Sequence, residues 1–156
     1  MPDLFTHFVS GYIPGESNPK GRNDALLVTG AVLPDILSRI PQIVFGNFMG
    51  LNVTNFFGAL HTPAGFGLFC YLLAHFFPAD GRKKVFTLLF AGSLLHFILD
   101  LMQAQFNQGV YMPFFPFSFK TTQWGIFHYN DSLYLFPVLL AITIFTYWRR
   151  RVKTKL

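Results

Sequence analysis

The sequence predicts an all-α fold: a polytopic membrane helix bundle with about four spans and a short N-terminal helix. Apolar residues make up 52% of the 156 residues, and 21 of them are phenylalanine. Charged residues make up 12%, about half the share usual in soluble domains. The basic residues lie in short clusters beside apolar runs, which argues against a nucleic-acid partner. We therefore expect one membrane-embedded domain over residues 1–156.

Two elements are expected before residue 50. Residues 3–13 predict a short helix that ends at Pro14 and Gly15 and is too short to cross a bilayer. An apolar segment at about 25–48 is long enough to cross, but Pro34 inside it has no amide hydrogen. Because proline also disfavours helical geometry in the residue before it, we expect a kinked or broken first span.

Three further spans are expected at about 59–78, 85–102 and 132–148. Their apolar runs approach the ~20 residues that cross a bilayer. Lysine and arginine lie almost entirely on one side of such a bundle: in the N-terminal loop, at 82–84 and in the basic tail 149–156. Because cytoplasmic loops carry the excess of basic residues, we expect a multi-pass protein of the plasma membrane with a cytoplasmic C-terminus.

Ionisable side chains inside the predicted spans indicate a buried polar site. Each costs about 3 kcal/mol at the bilayer centre, so such residues face the bundle interior and find partners there. Asp35 is expected near mid-depth and His96 and Asp100 in the outer half, while His61 begins its span from the outer side. Arg39, one turn after Asp35, forms a local ion pair by default or holds an anionic group of a substrate.

The spacing of His96 and Asp100 is typical of a metal site, because residues four apart share a helix face and reach one ion. Imidazole together with carboxylate suits a divalent metal, first zinc and then manganese or iron. Such an ion lowers the pKa of a bound water. Alternatively, the same side chains pair with one another or with Arg39 as a structural network. The spacing alone leaves both interpretations open.

Five stretches resemble, in the same order, motifs of the YdjM family of inner-membrane proteins, described as metal-dependent hydrolases and as LexA-binding. They are THFVSGYI, GAVLPDILSRIP, LHTPAGF, SLLHFILDLM and MPFFPFS. The resemblance covers nearly the whole chain and implies an inner-membrane location. It also implies a metal site formed by His7, Asp35, His61, His96 and Asp100, in which we expect catalysis to depend on Asp35 and His96.

The sequence departs from this family in its second segment. Members usually carry a histidine and an arginine before the histidine that corresponds to His61, where this chain has Phe56 and Phe57. Metal binding without full activity, or the use of other residues, is the expected consequence. His7 raises a separate question, because its helix starts on the cytoplasmic side. Either residues 3–13 re-enter the membrane beside the bundle, or His7 is not a ligand.

The outer loop at 103–131 adds two weaker candidates. Asp131 matches an aspartate that is frequent in the family before the final helix. His128 lies close to it in sequence and either closes the site from above or is a solvated loop residue. Together with Arg39, these residues are the candidate substrate contacts.

Two functions remain as hypotheses. The first is a membrane hydrolase whose metal activates water against an ester or phosphoester, in a lipid substrate that reaches the site from the bilayer. The second is a non-catalytic membrane protein with a structural, transport or partner-binding role. In that case the His/Asp cluster is structural and the basic tail contacts anionic lipid or a protein partner.

Overall fold

A computed structural model describes residues 4–16, 24–49, 58–104, 111–128, 137–138, 140–145 and 147–148. This part of the chain is mostly helical. Its main helices are α1 (Leu4–Glu16), α2 (Asp24–Met49), α3 (Pro63–Ala74) and α4 (Arg82–Met102). Two short strands follow, β1 (Gln103–Ala104) and β2 (Phe127–His128). Within α2 and α4, Ala25–Phe45 and Arg82–Met102 are long and apolar enough to cross a membrane.

Helix α2 continues without a break through both of its prolines, Pro34 and Pro41. Of the kink or break expected at Pro34, a break is absent from α2, and the structure gives a physical reason. Without an amide hydrogen, Pro34 leaves the carbonyl of Gly30, four residues earlier, without its helical donor. The hydroxyl of Ser93 on α4 donates to that carbonyl at 2.9 Å. A side chain from the neighbouring helix thus replaces the lost bond, as membrane helices with internal proline require.

Helix α3 is shorter than the predicted span at 59–78. Thr62 has an extended backbone and caps the helix, since its hydroxyl oxygen accepts from the amide of Gly65 at 3.2 Å. Pro63 follows at the first helical position, where a missing amide hydrogen costs nothing. The 12 residues of α3 extend about 18 Å, against about 30 Å of hydrocarbon. Helix α3 alone is therefore too short to cross, and the span at 59–78 stays a prediction.

The predicted fourth span, 132–148, lies partly outside the described residues. Its described positions, 137–138, 140–145 and 147–148, are helical, and several large apolar side chains among them are exposed, such as Ile144 and Trp148. The basic tail at 149–156 also lies outside the described residues. The four-span arrangement and the orientation of the chain therefore stay predictions.

Small residues allow α2 and α4 to approach closely. A Cβ atom added at Gly92 would overlap the carbonyl oxygen of Leu27, and one added at Gly30 would overlap the carbonyl oxygen of Leu89. Helix α1 packs along α2 in a similar way, at Gly11. Small residues at such crossings are typical of membrane helix packing, because they bring backbones together. As a result, short polar side chains reach the backbone of the neighbouring helix.

The segment after α4 returns to the end of that helix. The amide of Trp124 donates to the carbonyl of Leu101 at 2.7 Å, and the amide of Ile126 donates to that of Met102 at 2.6 Å. Strands β1 and β2 then pair in parallel, with Gln103 opposite Phe127. This small sheet departs from the predicted all-α class. It holds the segment 111–128 against the end of α4.

Candidate metal centre

The structure brings together five side chains that the sequence singled out. His7 comes from α1, Asp35 from α2, His61 from the turn before α3, and His96 and Asp100 from α4. Each is at least nine-tenths buried, and His7, His96 and Asp100 have no exposed surface. Segments up to 93 residues apart in the chain thus meet at one point inside the helices.

His96 lies at the centre of this cluster. Its Nε2 atom is 3.3 Å from Nε2 of His61 and 3.4 Å from Oδ2 of Asp100. The same atom is 3.8 Å from Oδ1 of Asp35. Oδ2 of Asp100 also lies 2.8 Å from Nε2 of His61. Donor atoms from three separate segments therefore face one small volume.

His7 lies within this cluster, on the side opposite His61 with respect to the Asp100 carboxylate. Its Nε2 atom is 3.4 Å from Oδ1 of Asp100, the oxygen that does not face His61. Its ring stacks on the ring of His96, with centroids 3.7 Å apart. Of the two alternatives for residues 3–13, the structure thus favours a helix packed beside the bundle, because α1 contacts both α2 and α4.

The ring of His96 is oriented by the backbone of α2. Its Nδ1 atom lies 2.7 Å from the carbonyl oxygen of Ala31. A carbonyl oxygen only accepts, so Nδ1 carries the hydrogen and donates it. In the neutral ring, Nε2 is then an acceptor with its lone pair directed at the cluster. The close crossing of α2 and α4 therefore fixes the tautomer of His96.

Ser38 orients His61 in the same way. Its hydroxyl donates to the carbonyl of Pro34 at 2.8 Å, so its oxygen is available to accept. Nδ1 of His61 lies 3.1 Å from that oxygen. With an ion bound at Nε2, Nδ1 would carry the hydrogen and donate it to Ser38; without an ion, the 2.8 Å contact with the Asp100 carboxylate requires the hydrogen on Nε2, because a carboxylate only accepts. A partner that holds the far nitrogen of a histidine is the usual support of a metal ligand.

The donor atoms fit a metal ion. Around zinc, with bonds of about 2.0–2.1 Å, adjacent tetrahedral donors lie about 3.3–3.4 Å apart, which matches the 3.3 Å and 3.4 Å separations of His96 from its two nearest donors. In addition, within the described part of the chain both ring nitrogens of His7 are buried without a hydrogen bond, and Nε2 has only the Oδ1 atom of Asp100 nearby, at 3.4 Å.

Two overlapping triads of buried side chains could accordingly hold a metal ion. One consists of His7, His96 and Asp100, and the other of Asp35, His61 and His96. The donor atoms within each triad lie within 4.8 Å of one another. Imidazole and carboxylate donors are those preferred by zinc, manganese and iron. The chemistry and the spacing of the residues therefore agree.

Arg39 lies at the edge of the cluster. Its Nε atom is 3.0 Å from Oδ1 of Asp35, and its side chain is 41% exposed while that of Asp35 is 5% exposed. The local ion pair expected from the spacing is thus present. The guanidinium extends from the buried carboxylate towards the surface, where it places a positive charge beside the site.

Two further residues support the site, and the spacing in the sequence did not identify them. They are Ser38 and Tyr111. The ring of Tyr111 lies against that of His61, with centroids 5.8 Å apart. Burial raises the pKa of Tyr111, and the charge of Asp100 and a hydrogen bond to that carboxylate raise it further. The phenol therefore stays protonated and donates to Asp100.

The remaining predicted residues lie apart from the cluster or outside the described residues. His128 lies on β2 with an exposed side chain, and neither triad includes it. Asp131, Phe56 and Phe57 fall outside the part of the chain that the structure describes. Their proposed roles stay predictions.

Comparison with known proteins agrees with the resemblance seen in the motifs. No curated protein and no solved structure was found to match the chain. The YdjM inner membrane protein family matches it over residues 1–156, the whole length of the chain. The match covers every segment that contributes to the cluster, from His7 to Asp100. The chain therefore belongs to the YdjM inner membrane protein family.

Proposed function

We propose that this protein is a metal-dependent hydrolase of the inner membrane that cleaves an ester or phosphoester bond. The observation that carries the proposal is the convergence of three histidines and two aspartates, all buried, in two overlapping triads whose donor atoms lie within 4.8 Å of one another in each triad. His7, Asp35, His61, His96 and Asp100 would hold it, with zinc first and manganese or iron as the other fits. A divalent ion supplies Lewis acidity there and lowers the pKa of a coordinated water towards neutrality.

The surrounding residues prepare the site for this chemistry. Ala31 and Ser38 hold the rings of His96 and His61 so that both Nε2 atoms face the same volume. Asp35 lies between Arg39 at the edge and His96 in the interior, where it accepts a proton from the attacking water. The water oxygen bonds to phosphorus or to the carbonyl carbon, the bond to the leaving oxygen breaks, and that oxygen takes up the proton from Asp35.

A membrane lipid is the substrate class that we propose. Phe114, Phe117 and Phe119 are all exposed, Phe117 to 95%, in a segment that begins at Tyr111 beside the cluster. Such aromatic side chains favour the hydrocarbon and interfacial regions of a bilayer. Arg39 adds a cation at the edge of the site for an anionic headgroup. We propose that the tail at 149–156 lies in the cytoplasm, as the distribution of basic residues predicts.

The metal is the decisive measurement. The protein is purified in detergent, and zinc, manganese and iron are determined by elemental analysis together with His96→Ala and Asp35→Ala. His75→Ala and Asp80→Ala are the matched controls, because both side chains are exposed. Stoichiometric metal in the wild type and the controls, with loss in the two site variants, supports the proposal. A metal-free wild type contradicts it.

Turnover is then tested with phospholipid vesicles and with soluble phosphodiesters and esters. Release of product by the wild type but not by His96→Ala identifies the reaction class. Hydrolysis that persists in both site variants would show that it arises elsewhere and would contradict the proposal. The chain has Phe56 and Phe57 where relatives carry polar residues, so a low rate is expected.

The alternative, a non-catalytic membrane protein with a structural cluster, is supported by the direct pairs. His61 and Asp100 are 2.8 Å apart and Arg39 and Asp35 are 3.0 Å apart, so part of the cluster is satisfied without an ion. That interpretation leaves Nδ1 of His7 without a partner among the described residues and gives its Nε2 only the 3.4 Å contact with Asp100. The elemental analysis separates the two, because a structural cluster retains no stoichiometric metal.

A further inference from the structure

Gln103 is a buried polar residue to which the proposed chemistry assigns no role. It is the C-cap residue of α4, three positions after Asp100, and its side chain has no exposed surface. Both polar atoms of its carboxamide, Nε2 and Oε1, lack a hydrogen-bond partner within the described residues. Buried amides are almost always paired, so a complete pair of orphaned atoms points to a ligand.

The backbone places Gln103 on the same face of α4 as two residues of the cluster. Gln103 follows Asp100 by three positions and His96 by seven, and these spacings share one face of a helix. Its φ of −81° continues the helix and only its ψ of 129° leaves it, so its Cβ atom keeps the helical direction. All three side chains are fully buried. The carboxamide therefore lies one turn beyond Asp100 on the same side of α4.

The main chain of Gln103 is held in place. Its amide donates to the carbonyl of Asp100, and its own carbonyl accepts from Nε2 of Gln123 at 2.9 Å. In the pairing of β1 with β2, Gln103 also lies in register with Phe127. The orphaned carboxamide thus sits on a fixed backbone, as a preorganised donor requires.

We propose that the Nε2 group of Gln103 donates a hydrogen bond to a non-bridging oxygen of a phosphoester substrate, beside the ion. This assignment rests on the proposed hydrolase function and narrows its substrate class. An amide is neutral, so it binds an oxygen that carries negative charge without neutralising the carboxylates that hold the ion. Arg39 supplies a positive charge at the edge of the same site. Gln103 is therefore a substrate-binding residue one turn beyond Asp100.

Inorganic phosphate is the probe, and its affinity is measured by broadening of its phosphorus resonance in manganese-loaded protein. Gln103→Met keeps the length of the side chain without the amide, and Gln103→Glu keeps its shape without the donor. Thr87→Val is the control, because it removes an exposed polar group from the same helix, far from Gln103. We expect both Gln103 variants to bind phosphate about tenfold more weakly, with unchanged metal content, while the control binds as the wild type does.

Three results would overturn the assignment while the metal site stands. They are unchanged phosphate affinity in the metal-loaded Gln103 variants, an equal loss in Thr87→Val, and no phosphate binding by the metal-loaded wild type. Loss of metal in Gln103→Met would place the residue in support of the ion and would likewise contradict a direct role in binding phosphate. A wild type that holds no metal is a different outcome, since it overturns the proposed hydrolase function itself.

Discussion

Oδ2 of Asp100 lies 2.8 Å from Nε2 of His61, across 39 positions of sequence. The other oxygen of the same carboxylate faces His7 of α1 at 3.4 Å. Tyr111 donates to this carboxylate as well. One side chain of α4 is thus contacted by groups from α1, from the turn before α3 and from the segment after α4. Asp100 is the residue through which the parts of the cluster are joined.

Replacement of Asp100 by asparagine is expected to abolish metal binding. The amide keeps the shape of the side chain but removes the negative charge and one acceptor oxygen. The loss should exceed the roughly 10- to 100-fold drop in affinity that follows loss of a mere supporting partner. Competition with a chelator of known affinity measures it. Asp80→Asn is the control, because Asp80 is exposed in the turn before α4; equal metal affinity in the two variants would contradict the assignment.

Ser38→Ala tests the support of His61. Without the hydroxyl, Nδ1 of His61 loses its acceptor at 3.1 Å, and the ring is free to rotate or to change tautomer. We expect metal affinity to fall about 10- to 100-fold while the helix stays folded. The same competition assay measures the change.

Thr29→Ala is the matched control for Ser38→Ala. The hydroxyl of Thr29 also donates to the carbonyl four residues earlier in α2, at 2.7 Å, but its side chain is exposed. The Thr29→Ala variant therefore shows how loss of such a hydrogen bond alone changes metal affinity, because Thr29 contacts no histidine of the cluster. If both variants retained the wild-type affinity, Ser38 would have no part in orienting His61.

The candidate site could be predicted from the sequence further than the fold could. His96 and Asp100 are four residues apart, and helical geometry alone places them on one face. Because a charged side chain in hydrocarbon is costly, Asp35 and His61 are expected to face the interior of the bundle. By contrast, whether His7 reaches the cluster depends on how α1 packs against α2 and α4, which no local pattern determines.

The residues that the sequence did not reveal act through tertiary contacts. Ser93 replaces the hydrogen bond that Pro34 removes, so a local rule predicted a break that a neighbouring helix prevents. Serine occurs too often for this partner to stand out in a sequence. Thr62 followed by Pro63 was a usable signal in the sequence that this helix begins at residue 63 and not at 59, because threonine caps helices and proline is favoured at the first helical position.

Gly92→Ala is expected to damage the fold and the site together. The added Cβ would overlap the carbonyl oxygen of Leu27 and would force α4 away from α2. Overpacking of this kind costs about 1–3 kcal/mol of stability. It also moves His96 away from the Ala31 carbonyl that fixes its tautomer, so metal affinity should fall as well. Thermal unfolding in detergent and chelator competition measure the two effects.

Gly81→Ala is the control for Gly92→Ala. Gly81 directly precedes α4, and an added Cβ there would make only an ordinary contact, 3.6 Å from the Pro78 carbonyl oxygen. We expect little change in Tm or in metal affinity. Equal behaviour of the two variants would show that the crossing of α2 and α4 tolerates a methyl group and that close approach is not required.

Removal of the metal should lower the stability of the whole helix assembly. The ligands come from α1, α2, the turn before α3 and α4, so an ion bound to them stabilises the native state over any state in which these segments separate. At a free metal concentration of ~1,000 times Kd the gain is about 4 kcal/mol. We expect a chelator to lower the Tm of the wild type by several degrees and excess zinc to restore it.

Asp100→Asn should already unfold at the lower Tm and respond to neither treatment. A chelator effect of equal size in that variant would mean that the stabilising ion binds elsewhere, and the cluster would then be a polar network that stabilises the fold without metal.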